Sequence, residues 1–156
     1  MRKSLLVGSL CSVMLLSGSM ALAADNWIGT WKLNVAKSKY TPGPGPKSQT
    51  LKFEATPAGI KLSTEGVNAE GAAGKGSYTS KFDGKDVPWA GNPDADMAAP
   101  MKVDDNSYTN TWKKGGKAVV TAKVVVSADG KTLTVTQTGK NAKGEAMNTT
   151  GVYERQ

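Results

Sequence analysis

Regular alternation of apolar and polar residues is the feature that most constrains the fold of this chain. In five segments one set of alternate positions is mainly apolar or aromatic, and the other is Lys, Glu, Ser or Thr. A period of two residues puts the two sets on opposite faces of a β-strand, one toward a core and one toward water. The pattern is typical of antiparallel strands. The segments span residues 51–55, 60–64, 78–82, 108–113 and 132–137.

Turn-forming residues separate these segments. Asp83-Gly84, Gly115-Gly116 and Asp129-Gly130 are hairpin signals, because Gly and Asp tolerate the positive φ of tight turns. The chain from Tyr108 to Arg155 therefore predicts a four-stranded meander, and the whole chain predicts eight to ten strands. A sheet of that length tends to curl and close on itself. The predicted fold class is all-β, an antiparallel meander closing into a small barrel.

Other segments are less regular. Residues 26–35 fit one helical turn or a strand, and Gly29 and Thr30 favour the strand. Residues 41–46 contain three prolines, which lack amide donors, so this segment predicts a stiff loop. Residues 65–76 are rich in Gly and Ala and predict a mobile stretch. Residues 97–103 predict a weak strand. The run from Val124 to Val126 predicts a strand that is buried on both faces.

The inward-facing set of the predicted strands defines a core. With ten aromatic residues in the chain and many Thr, Ser and Asn on strands, this core fits either a fully packed interior or a partly polar ligand cavity. The sequence leaves both alternatives open. The predicted core residues are Trp27, Trp31, Leu33, Leu51, Phe53, Ile60, Leu62, Tyr78, Phe82, Trp112, Val124, Val126, Leu133 and Val135.

The first 24 residues have the pattern of a secretory signal peptide. Arg2 and Lys3 precede an uncharged, Leu-rich segment from residue 4 to 16, and residues 21–24 read Ala-Leu-Ala-Ala. The apolar segment is shorter than the ~20 residues of a membrane-spanning helix, which disfavours the alternative of an uncleaved anchor. We expect cleavage after Ala23 or Ala24, one β-barrel domain over residues 25–156, and a periplasmic or secreted location.

The residue types that the chain lacks narrow its chemistry. The sequence contains no histidine, and its one cysteine, Cys11, lies in the segment expected to be removed. Catalytic triads, Cys-His pairs and His or Cys metal sites are therefore excluded. We predict no enzymatic activity, no catalytic residue and no cofactor. Carboxylate, Lys, Tyr or Arg chemistry in a hydrolase or isomerase is the least favoured hypothesis.

Charged residues give no sign of a macromolecular partner or a metal. Without Arg2 and Lys3, 18 of the 20 basic residues remain against 13 acidic ones, a net charge of +5. The lysines are dispersed, so we predict no nucleic-acid partner, and we predict no membrane segment after cleavage. Asn92, Asp94 and Asp96 occupy alternate positions and carry the oxygen ligands that a hard cation such as Ca²⁺ needs. Asp and Asn are also common in turns. We favour the turn and predict no metal site.

Short motifs at the two ends of the mature chain resemble a known superfamily. Gly29-Thr-Trp31 on the first strand is similar to the opening of the lipocalins and of the intracellular fatty-acid-binding proteins. The closing Val152-Tyr-Glu-Arg155 resembles the last strand of the second family. Both are calycins, antiparallel barrels that hold apolar ligands. The resemblance implies that Trp31 plugs the base of the barrel and that Arg155 covers it by a cation–π contact.

The sequence departs from that family at two places. Fatty-acid-binding proteins carry, two residues before the closing tyrosine, an arginine that pairs with the ligand carboxylate, and here the position is Gly151. They also insert a helical lid after the first strand, where residues 34–48 are rich in Pro and Gly. Tyr153 thus matches a ligand-site position without the charge beside it.

A second resemblance covers most of the mature chain. Residues 29–34, Pro42-Gly-Pro44 and Asp83-Gly-Lys-Asp86 look like a group of exported bacterial proteins with no assigned activity, so this likeness transfers no mechanism.

Taken together, these features predict an exported, lipocalin-like protein that binds a small apolar or amphipathic molecule inside the barrel. The alternative is a non-catalytic structural or interaction domain with a packed interior and an unknown protein partner. Trp89, in a loop after Pro88, fits either a binding anchor or packing at the barrel mouth. The predicted ligand-binding residues are Trp31, Tyr78, Trp89, Trp112, Tyr153 and Arg155.

Overall fold

The computed structural model describes residues 25–156, so the predicted signal peptide lies outside the described residues. This part of the chain forms ten β-strands and a single turn of 3-10 helix, Val35–Lys37. The strands are β1 Gly29–Leu33, β2 Ser48–Thr56, β3 Gly59–Val67, β4 Ala73–Ser80, β5 Val87–Pro88, β6 Met97–Asp104, β7 Ser107–Lys114, β8 Lys117–Val126, β9 Thr132–Lys140 and β10 Ala146–Arg155. No helix within these residues is long and apolar enough to cross a membrane.

All ten strands belong to one antiparallel sheet in the order β4-β3-β2-β1-β10-β9-β8-β7-β6-β5. Consecutive strands are neighbours, and β1 joins the two halves by pairing with β10. The outer strands meet where Ser77 and Ala90 exchange two backbone hydrogen bonds of 2.9 and 3.0 Å. The sheet is therefore a nearly closed barrel, which confirms the predicted fold class, including the meander from Tyr108 to Arg155.

One end of the barrel, which we call the base, is filled by aromatic side chains. The Trp27 ring lies 5.9 Å from the Phe82 ring and 5.3 Å from the Tyr108 ring, between centroids. Phe53 contacts the same tyrosine edge-to-face at 6.1 Å. Trp31 is fully buried beside them, and its indole Nε1 donates to the Trp27 carbonyl at 2.8 Å. Edge-to-face and stacked rings at these distances stabilise a packed core beyond the area they bury.

Charged groups cover the outside of the base. The Arg155 guanidinium lies 4.1 Å from the Trp31 ring centroid, which is the cation–π contact that the calycin resemblance implies. The same side chain donates to the carbonyls of Gly130 at 2.7 Å and Ile28 at 2.9 Å. These bonds connect β10 to the segments that precede β1 and β9. The base is therefore held together by one side chain that reaches three parts of the chain.

Replacing Arg155 with methionine is expected to lower the free energy of unfolding by roughly 1–3 kcal/mol, because charge-assisted hydrogen bonds and a cation–π contact are lost together. Equilibrium urea unfolding measures the change. Arg155→Lys is the matched variant: it keeps the charge but lacks the planar guanidinium, so most of the loss should persist. Full stability in both variants would show that this side chain does not hold the base together.

Two local predictions were wrong. Residues 65–76 are not a loose stretch, because β3 and β4 extend through most of them, with Glu65 opposite Lys75. Their glycines permit close strand approach: a Cβ on Gly66 would collide with the Ser48 carbonyl. Val125 is 36% exposed while Val124 and Val126 are buried, so the central strand is buried on one face only. A single-layered barrel has nothing outside it to cover the other face.

The buried residues agree with the predicted core except at one position. Ile60 is only partly buried, and the other thirteen predicted core residues are buried. The buried set also includes several residues that were absent from the predicted core. These are Ala95, Ala98, Tyr108, Val120, Ala122 and Tyr153.

Candidate ligand cavity

The end of the barrel opposite the base is hollow. It holds a cavity of about 630 Å³ that is open to solvent at its mouth and is lined by residues of β2–β4 and β7–β10 and of the adjoining loops. This volume falls within the ~300–1,000 Å³ typical of small-molecule sites. The sequence allows either a fully packed interior or a partly polar cavity, and the structure has a cavity.

The cavity walls combine apolar side chains with uncharged polar ones. Both kinds occupy the inward positions of alternating strands, as in the step from Val135 to Gln137 on β9. The apolar wall residues are Leu51, Leu62, Ala122, Val124, Val135 and Met147. The uncharged polar ones, apart from the tyrosines, are Gln49, Thr64, Asn110, Gln137 and Thr149.

Hydrogen bonds between protein groups use the oxygens of the three side-chain amides. Asn110 Oδ1 accepts from the Ala99 backbone N–H at 3.1 Å, and its Nδ2 donates to the Tyr78 hydroxyl at 3.4 Å. Thr149 Oγ1 donates to Gln137 Oε1 at 2.9 Å. In the same way, the Tyr153 hydroxyl donates to Gln49 Oε1. Each of the three amide oxygens therefore accepts one hydrogen bond from another protein group.

Three aromatic side chains form one side of the cavity. The Trp89 ring lies edge-to-face with Tyr78 at 5.1 Å and with Trp112 at 5.0 Å, between centroids. Within residues 25–156, the buried indole Nε1 atoms of Trp89 and Trp112 have no hydrogen-bond partner. The buried Tyr40 hydroxyl, which also lines the cavity, has none either. Buried polar groups without partners are uncommon and costly. The indole Nε1 of Trp27 in the base is another such atom, so this feature is not confined to the cavity.

The interior carries no side chain that is charged at neutral pH among the described residues. Glu65, Glu70 and Lys75, which border the cavity, are exposed at its rim, and Asp94 lies in the loop before β6. The remaining ionisable groups of the cavity are tyrosines, and burial raises the pKa of each. A ligand inside the barrel would therefore meet neutral groups only.

The proline-rich loop borders the mouth of the cavity. The chain after β1 continues to pair with β10, because Lys39 exchanges backbone hydrogen bonds of 2.8 and 2.7 Å with Thr150. Residues 42–46 then pass along the cavity, and a side chain at Gly45 would overlap the Tyr40 ring. A Cβ on Gly151 would lie 3.4 Å from the hydroxyls of both Tyr40 and Tyr153. Two tyrosines therefore crowd the position where the family resemblance places an arginine.

The structure divides the predicted ligand-binding residues into two groups. Tyr78, Trp89, Trp112 and Tyr153 line one cavity, whereas Trp31 and Arg155 lie together in the base and do not line it. A role of any of them in binding stays a prediction. Sequence reasoning missed the wall residues Gln49, Asn110, Gln137 and Thr149. Their signal was available, since Asn110 and Gln137 share the alternation of their apolar neighbours, but the core was chosen by hydrophobicity.

The strand order, the packed base and the hollow opposite end define a nearly closed, ten-stranded antiparallel barrel with an internal cavity. No family model matches the chain. A search of curated proteins finds no match either, so the likeness to exported bacterial proteins stays a prediction. Among solved structures, zebrafish ileal bile acid-binding protein complexed with cholic acid matches with a TM-score of 0.46 and 8% identity, over 84% of this chain and 98% of that one. Similarity at this level carries no information about the ligand of the present chain.

The raised tyrosine pKa values predict cooperative alkaline unfolding. Each neutral phenol contributes stability in full below the pKa of an exposed tyrosine, about 10, and the contribution is lost as the pH rises toward the higher pKa of the folded state. We expect the tyrosinate absorbance to appear above about pH 10 together with the loss of circular dichroism, and the urea-unfolded chain to titrate normally. Four tyrosines that ionise near pH 10 in the folded protein would contradict this burial.

Proposed function

We propose that this chain is an exported, calycin-like protein that binds a small, uncharged, apolar or amphipathic molecule in its barrel, without catalysing a reaction on it. One observation carries the proposal: a 630 Å³ cavity whose walls are apolar and neutral polar side chains. Ligand sites of proteins are typically such largely apolar concavities with a few oriented polar groups.

The distribution of packing in the barrel supports a site rather than a defect in the core. The base is filled by Trp27, Trp31, Phe53 and Phe82, all at most 5% exposed. The opposite half is lined by Leu51, Leu62 and other apolar residues that do not fill it. Protein interiors are otherwise close-packed, so a void of this size in one half calls for an occupant. A molecule that enters from the proline-loop side would bury apolar surface without disturbing the base.

Binding without catalysis is the version that the interior chemistry favours. The ionisable groups of the cavity are tyrosines that burial keeps protonated at neutral pH. A protonated phenol is a hydrogen-bonding group rather than a general base, and base catalysis is most efficient when the pKa lies near the working pH. The carboxylates near the cavity lie at its rim and in a loop, outside the apolar interior.

The export part of the proposal rests on the sequence of residues 1–24. Intact-mass measurement of the protein secreted from its native host is expected to give a chain that begins at Ala24 or Asp25. A mass that includes residues 1–23 would contradict the signal peptide.

Native mass spectrometry of the mature chain, purified from its native compartment and then extracted with organic solvent, tests the binding function. We expect a mass increment that disappears on extraction and whose chemical class can be identified in the extract. The stripped protein should regain the increment from a mixed lipid and metabolite extract. A clean apo mass both before and after that exposure would overturn the proposal and favour the interaction-domain alternative.

A further inference from the structure

Two of the unpartnered groups in the cavity wall can only donate a hydrogen bond. An indole N–H can only donate, and those of Trp89 and Trp112 are buried without an acceptor among residues 25–156. Trp112 as a whole is 9% exposed, so bulk solvent reaches little of it. The two rings pack edge-to-face with their centroids 5.0 Å apart, so both belong to the same side of the cavity.

The amide oxygens of the wall already accept from other protein groups, and neither indole N–H reaches an acceptor among residues 25–156. The orientation of the Asn110 amide is fixed, because the backbone N–H of Ala99 can only donate and therefore faces Oδ1. The amide oxygens of Gln49 and Gln137 accept from hydroxyl groups of Tyr153 and Thr149. The two indole N–H groups are therefore the donors of the wall that an incoming acceptor can satisfy.

We infer that the ligand is an uncharged molecule with a hydrogen-bond acceptor oxygen, such as a ketone, ester or ether, that accepts from the indole N–H groups of Trp112 and Trp89. This inference rests on the proposed function and specifies its ligand class. The apolar remainder of the ligand lies against Leu62, Val124 and Val135, which line the same cavity. A carboxylate fits poorly, because no cation lines the interior and burying an unpaired charge is costly.

Three naphthalene probes of nearly equal shape separate these possibilities: methyl naphthyl ketone, isopropenylnaphthalene and naphthoate. The ketone and the alkene differ only in an acceptor oxygen. We expect the ketone to bind about tenfold more tightly than the alkene, because its oxygen accepts from a buried donor. This order is the reverse of hydrophobicity, since transfer from water into an apolar site is less favourable for the ketone than for the alkene. Isothermal titration calorimetry on the mature protein gives the affinities.

Indole ¹⁵N–¹H spectra report the contact directly, since the chain has four tryptophans. The Nε1–H signals of Trp89 and Trp112 should move downfield with the ketone and not with the alkene. Trp31, which already donates to the Trp27 carbonyl, and Trp27 in the base are internal controls that should not move. Replacing Trp112 by benzothienylalanine keeps the ring shape, removes the N–H and should abolish the ketone's tenfold advantage. The same replacement at Trp27 should leave it.

The outcomes distinguish the inference from the function beneath it. Ketone and alkene binding with equal affinity and with unshifted indole signals would overturn the inference and leave the proposed function standing. Tightest binding of naphthoate would overturn the uncharged ligand class alone. Failure of all three probes, together with a clean apo mass after exposure to the mixed extract, would overturn the proposed function and the inference with it.

Discussion

Replacing Trp31 with alanine is expected to lower the free energy of unfolding by about 3–5 kcal/mol, the range for large-to-small substitutions of buried aromatic residues. The side chain is fully buried, its ring lies 4.1 Å from the Arg155 guanidinium, and its N–H is bonded to the Trp27 carbonyl. Alanine removes the cation–π contact and the hydrogen bond, and it leaves a void in the base. Small domains have only about 5–15 kcal/mol in total, so the variant should be close to its unfolding threshold.

Guanidinium unfolding followed by circular dichroism measures this loss without depending on tryptophan emission. Val35→Ala is the control, because Val35 is 50% exposed and should change the stability by less than about 0.5 kcal/mol. A loss below about 1 kcal/mol for Trp31→Ala would mean that this residue is not the central packing element of the base.

Replacing Ala122 with tryptophan is expected to weaken ligand binding roughly ten- to hundredfold, because overlap with a filled site costs about 1–3 kcal/mol. Ala122 is 2% exposed, lies on β8 opposite Asn110 and Gln137, and borders the cavity. An indole at this position would occupy space that the ligand needs. Titration with methyl naphthyl ketone gives the change in affinity, and an unfolding curve shows whether the variant remains folded.

Thr121→Trp is the matched control. It places the same side chain one residue earlier, on the exposed outer face of β8, and should leave the affinity unchanged. Equal binding by wild type and a folded Ala122→Trp variant would show that the ligand binds outside this cavity. Equal weakening in both variants would point to a general disturbance of β8 instead.

The barrel itself follows from local sequence signals. Alternation in residues such as Leu51-Lys52-Phe53 sets which side chains face inward, and this pattern survives in the structure because one slip in register would expose the entire apolar set. Turn residues such as Gly115 and Gly116 set where strands end, since both adopt a positive φ. The contact of Trp31 with Arg155 came from motifs at the chain ends rather than from any local rule.

The candidate site could be predicted only in part. Tyr78 and Trp112 were predicted from the strand pattern, and both line the cavity. The amides of Asn110 and Gln137 share the alternation of their apolar neighbours, but they were overlooked because the core was chosen by hydrophobicity. Whether the interior is hollow depends on barrel circumference and on the sum of side-chain volumes, which are properties of the closed sheet.

Short-range sequence patterns were enough to predict the all-β fold class and most of the residues that face inward. The residue types excluded sites built on histidine or cysteine, and Gly151 stands where the resembling family has an arginine. Closure of the barrel settled which aromatic residues pack in the base and which line the cavity. It also left the other half open and left the indole N–H groups of Trp89 and Trp112 without a partner among residues 25–156. The reason is physical. Periodicity and turn chemistry act between residues close in the chain, whereas a cavity and its unpaired groups arise from strands such as β4 and β7, whose contacts exist only once the barrel has closed.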